Sequence, residues 1–68
     1  MDYRLYCVDS NSHILGPAEN VTCANDGAAQ SVATDILIDG SRTVTTVEIW
    51  EGARYVSRCY RPISRRNN

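Results

Sequence analysis

The chain has 68 residues, room for one small domain whose core is too slight to be strongly self-sufficient. Domains of this size lean on a disulfide, a metal or a partner chain. Seven arginines against eight acids give a formal net charge of −1, which counts against a strongly basic nucleic-acid binder, and no apolar run approaches the roughly 20 residues of a membrane helix.

The first element is "YRLYCVD", which alternates. Tyr3, Leu5 and Cys7 point one way, and Arg4, Tyr6 and Val8 the other, so a strand is expected with the first set on the core. The cluster "DSNS" follows, made of residues whose side chains bond their own backbone in turns. A second strand is expected from His13 through "HILG", broken by Gly16-Pro17 and resumed at "ENVTCA". Proline cannot donate to a ladder, so this strand belongs at an edge or carries a bulge.

The period then changes. Ala29, Val32, Ala33, Ile36 and Leu37 recur at three and four residues, the stripe of a helix of roughly three turns. Asn25 or Asp26 is placed to cap it, and Gly40 stands where a left-handed terminal residue is favoured. Period two returns in "RTVTTVEIWEGARYVSRCY", with Val47 and Ile49 on one face and Thr46, Glu48 and Trp50 on the other. Gly52-Ala53 as the two central turn residues pairs Trp50 with Tyr55, Ile49 with Val56 and Glu51 with Arg54, and Gly52 supplies the positive φ of a type II′ turn.

The order strand, strand, helix, strand, strand predicts an α+β domain (ββαββ): a four-stranded antiparallel sheet in the order 2-1-3-4 with one helix packed on one face. Residues 1–60 form this domain. Residues 61–68 form a basic flexible tail carrying Arg61, Arg65 and Arg66. The charge is lopsided to match: residues 1–51 hold two arginines and all eight acids, residues 52–68 five arginines and no acid.

The pattern "YRLY.VD...HI.G.AE", followed by an alanine-rich helix and "VEIWEGARYV", resembles a group of short bacterial proteins to which no chemistry is assigned. The resemblance spans roughly residues 3–58. It implies a compact ββαββ unit and lends no catalytic residue. Cys7, Cys23, Cys59 and the tail after Tyr60 depart from the group's usual pattern.

"MDYRLYCVDS" lacks the basic start and apolar run of a signal peptide, so a cytoplasmic location is expected, where an odd set of three thiols stays reduced. Asn20 in "NVT" matches a glycosylation sequon, which has no consequence there. Cys7, His13, Cys23 and Cys59 form a paper zinc set, but structural zinc ligands come in close pairs and these are widely spaced. The thiols read more simply as small core hydrophobes. Cys7, His13 and Asp9 similarly compose a nucleophile, base and orienter, yet each has an ordinary role in core or turn, and no glycine-rich phosphate loop or dinucleotide fingerprint is present. No enzyme activity and no cofactor are expected.

One helix covers one sheet face. The other is expected to lie open and to carry Arg4, Tyr6, Glu48, Trp50, Tyr55 and Cys59. An uncovered aromatic sheet marks an interaction surface, so the expected function is a small non-enzymatic protein-interaction module, self-associating through Arg4, Tyr6, Trp50 and Tyr55. The alternative is a single-stranded nucleic-acid platform, with Tyr6, Trp50 and Tyr55 stacking bases while Arg4, Arg54 and Arg58 follow phosphates.

Overall fold

The computed structural model describes residues 1–40 and 43–61. Its elements are β1 (Asp2–Val8), β2 (Glu19–Thr22), α1 (Asp26–Asp39), β3 (Thr46–Glu51) and β4 (Arg54–Tyr60). The four strands form one antiparallel sheet in the order β2-β1-β3-β4, and α1 packs on one face of it.

The alternation of β1 sets the layers. Tyr3 and Leu5 are buried with Val47 and Ile49 against Ala29, Ala33 and Leu37 of α1, and Val44 closes the cluster. The three positions where helix meets sheet include two alanines, which lets the backbones approach closely. Burying a side chain the size of Leu37 contributes about 1.5–3 kcal/mol, and few such residues are available. Cys7, Cys23 and Cys59 are half-buried free thiols that pack on the margin of this core.

The helix has 14 residues, about four turns rather than three. Asn25 is its cap: the Oδ1 accepts from the Ala28 amide at 2.8 Å. Gly40 ends it, but with φ −88° rather than in the left-handed conformation. Its amide bonds the Ile36 carbonyl at 2.8 Å, and a Cβ at Gly40 would lie 2.5 Å from that same oxygen. Close approach of backbone to backbone, not positive φ, requires the glycine there.

The second strand is shorter than its pattern. "HILG" contributes one bridge, Val8 to Ile14, and regular pairing resumes only at Glu19, beyond Gly16 and Pro17. At the β3–β4 turn the expected Glu51–Arg54 and Trp50–Tyr55 pairs form, and Gly52 has φ 60°. Ile49 then pairs with Ser57 and not Val56, because a bulge falls in this ladder between Ile49 and Trp50. The extra residue reverses the alternation of β4 beyond it. Cys59, expected on the open face, therefore sits opposite Val47 on the helix side.

Arg61, expected to begin the flexible tail, is bonded to the domain. Its amide donates to the Thr45 carbonyl at 3.0 Å, and its guanidinium donates to the Val44 carbonyl at 2.7 and 3.2 Å. Arg65 and Arg66 lie outside the described residues. Among the described residues no helix is long and apolar enough to cross a membrane.

Candidate functional site: the open face of the sheet

Register builds the site. Arg4 of β1 lies beside Trp50 of β3, which lies beside Tyr55 of β4. One step along, Tyr6 lies beside Glu48, and Glu48 beside Arg58. A third row runs from Ile14 through Val8 and Thr46 to Tyr60. The strand residues among these project away from α1, since their neighbours along β1 and β3 pack toward the core and Ser57 and Cys59 of β4 face the helix side. Arg4, Tyr6, Trp50 and Tyr55 are thus brought together as their alternation predicts.

The face is not flat. Arg4, Tyr6, Ile14, Glu48 and Trp50 line one shallow depression of about 340 Å³. A second, of about 270 Å³, is bounded by Val8, Ile14, Thr46, Glu48, Arg58 and Tyr60 together with the turn after β1. Ile14 and Glu48 belong to both, so the two make one trough across the sheet. Sequence reasoning gave Ile14 and Tyr60 no place in it. Ile14 is 59% exposed and Tyr60 66% exposed, more than Tyr55 and the half-buried Trp50 of the aromatic pair. Tyr60 was legible only with the bulge in hand, and Ile14 only from its bridge to Val8.

The polar groups of the face are mutually satisfied. Arg58 pairs with Glu48 Oε2. Glu48 Oε1 accepts a long bond of 3.4 Å from the Trp50 indole N–H. Arg4 donates to the Gly52 carbonyl at 2.6 Å, and its guanidinium carbon stands 5.7 Å from the Tyr6 ring centre. Trp50 and Tyr55 meet edge to face, 5.4 Å apart at 71°.

Arg54 does not join this face. Its guanidinium bridges Glu51, at 2.5 Å, and Asp26 in the first turn of α1, at 2.9 Å. Asp26 also accepts from the Tyr3 hydroxyl at 2.7 Å. The Arg54 guanidinium, then the Tyr3 hydroxyl, hold the Asp26 carboxyl below its usual range. Burial first, and then the carboxylate beside it, push the Tyr3 phenol up to about 12. The network clamps the β3–β4 turn to the helix start and the first strand.

The remaining sequence candidates fall into structural roles. Asp9 organises its turn: the carboxylate accepts from the Asn11 and His13 amides at 2.9 Å, and the His13 bond foremost draws its pKa down. His13 is exposed, with Nδ1 3.7 Å from Asp9. Burial pushes the Cys7 and Cys59 thiols up, the opposite of the activation a nucleophilic cysteine needs. Among the described residues no three histidine, cysteine or acidic side chains converge as a metal site would require. No family model matches this chain, and neither curated proteins nor solved structures show a match to it.

Proposed function

We propose that the protein is a small non-enzymatic interaction module that associates with a second protein chain, in its simplest form another copy of itself, through the open face of its sheet. The observation that carries this reading is the aromatic face opposite the helix: a trough lined by Tyr6, Trp50, Tyr60 and Ile14, with Tyr55 beside Trp50, on a sheet whose other face is covered. Aromatic anchors dominate interface energetics. The edges are poor alternatives. β2 is four residues long and preceded by Gly16-Pro17, and β4 carries a bulge and two arginines, the devices that discourage edge pairing.

The nucleic-acid reading has less support. Of its three arginines, Arg54 is committed to Asp26 and Glu51 on the other side of the turn, and Arg58 is neutralised by Glu48 within the face. Sedimentation equilibrium on the full chain, with reductant, tests the proposal. A dimer that persists at high salt and weakens on Trp50→Ala supports it. A monomer at millimolar concentration, or salt-dependent binding of single-stranded nucleic acid to the same face, overturns it.

A further inference from the structure

The trough on the open face is rich in hydrogen-bond donors and poor in free acceptors. Among the described residues two carboxylates border it, and both are engaged. Glu48 Oε1 takes the Trp50 indole N–H and Oε2 takes Arg58, while Asp9 accepts from the Asn11 and His13 amides. Against them stand the Trp50 N–H, held by one long bond of 3.4 Å, the guanidinium groups of Arg4 and Arg58, and the Tyr6 and Tyr60 hydroxyls. A basic partner would meet Arg4 and Arg58 with no free acid to receive it. An acidic partner gains little, since Glu48 neutralises Arg58, and Arg4 is held by the Gly52 carbonyl and the Tyr6 ring. The matching ligand is uncharged, with carbonyls to offer and no N–H groups to satisfy.

Of the ordered peptide backbones, one has that character. A helix engages its carbonyls internally. A strand pairs along an edge, and both edges of this sheet are blunted. A polyproline II helix has no internal hydrogen bonds, so its carbonyls stay open, and proline itself has no N–H. From this we infer that the trough binds a neutral, proline-rich segment of a partner protein in the polyproline II conformation. The inference rests on the interaction surface proposed above and adds the chemistry of the partner.

The spacing of the rings suits that helix. Tyr6 and Trp50 occupy diagonal positions on β1 and β3, about 8 Å apart in the plane of the sheet at ordinary strand spacings. Polyproline II returns a residue to the same side every third position, a rise of about 9 Å. One proline therefore stacks on each ring, and the Trp50 N–H donates to a carbonyl between them. From Trp50 to Thr46 the trough runs about 14 Å along β3, the length of roughly four or five residues of this helix. Area agrees. Four strands of about six residues give a face of roughly 400 Å², half the approximately 800 Å² per partner of a standard interface between folded domains. A second copy on this face is accordingly held weakly and is displaceable. A preformed segment loses little entropy on docking, which is how aromatic-lined grooves bind proline-rich chains over small areas.

The test uses the one tryptophan of the chain, whose emission reports on the trough directly. The full-length protein is titrated with hexaproline, acetylated and amidated so that it carries no charge. A saturable change in Trp50 emission is expected, with a dissociation constant between about 10 μM and 1 mM and a change of less than about twofold between low and high salt. Equally blocked hexaglutamate and a Gly-Ser hexapeptide should bind about tenfold more weakly or worse. Tyr6→Ala should weaken hexaproline binding by about tenfold or more. If that variant fails to fold, Tyr6→Leu replaces it, keeping bulk while removing the ring and its hydroxyl. Hexaproline should also dissociate the wild-type dimer in sedimentation, because the two compete for one face. A dimer that Trp50→Ala weakens, in a protein indifferent to hexaproline at about 5 mM, overturns this occupant and leaves the surface standing. Salt-dependent binding of hexaglutamate, or a Gly-Ser peptide that binds as well as hexaproline, overturns it too. A chain that is monomeric at about 1 mM and silent toward hexaproline overturns both readings.

Discussion

Two glycines show how the same residue type answers different demands. Gly52 has φ 60° with nothing within 4 Å of a prospective Cβ, so its cost on substitution is conformational. Gly40 has an ordinary φ, but a Cβ there would meet the Ile36 carbonyl oxygen at 2.5 Å. Gly52→Ala should lower stability by about 1–2 kcal/mol, and Gly40→Ala by about 1–3 kcal/mol through forced displacement of the helix end. Urea unfolding of the two variants checks this, and a neutral Gly40→Ala would contradict the close approach. The positive φ at Gly52 was legible from the turn's spacing. The contact at Gly40 was not, because a helix-terminal glycine in sequence carries no record of which constraint placed it.

Titration also belongs at this scale. The Tyr3 phenol is raised from its ordinary 10.0 to about 12 by burial and by Asp26, so the stability it contributes is fully present below pH 10 and is lost as pH rises toward 12. Asp26 and Asp9 are depressed below their ordinary 3.8, so their contribution is present above that pH and is lost as pH falls through the lowered values. Stability should therefore form a plateau between these limits. An ultraviolet titration of wild type minus Tyr3→Phe should show a phenol with a midpoint near pH 12. A midpoint near 10 would contradict the burial of Tyr3 and its bond to Asp26.

At the scale of elements, the helix was the most readable part. Its stripe of Ala29, Val32, Ala33, Ile36 and Leu37 fixes the buried face, and Asn25 fixes the start. Asn25→Ala should cost about 1 kcal/mol as the Ala28 amide loses its acceptor. Leu37→Ala should cost about 2–5 kcal/mol, a large share of the stability of so small a domain. Thermal melts followed by circular dichroism measure both. The strands were readable in type and pairing, but β4 was not readable in phase beyond Val56. Nothing in "RYVSRCY" distinguishes a bulged strand from a regular one, and that single extra residue moved Cys59 to the helix side and brought Tyr60 to the open face. Nor did the sequence announce the partners of Arg54. Asp26 is 28 residues away, and the two meet only when the helix start and the hairpin turn close on each other.

For the whole molecule, size and layering carry the account. One helix and four strands give two layers, a core of few large side chains, and one sheet face left uncovered. The candidate site was legible as far as strand alternation reaches, in Arg4, Tyr6, Trp50 and Tyr55. It was not legible in Ile14 and Tyr60, whose positions depend on a lone bridge and on the bulge. The central claim is that this face, rather than the edges or the helix, is where the protein meets its partner. Sedimentation equilibrium of wild type beside Trp50→Ala, each shown folded by circular dichroism, tests it most directly. The predicted result is a reversible wild-type dimer and a folded variant whose association is weaker by about 2 kcal/mol or more. A folded Trp50→Ala variant that dimerises as wild type does would contradict it.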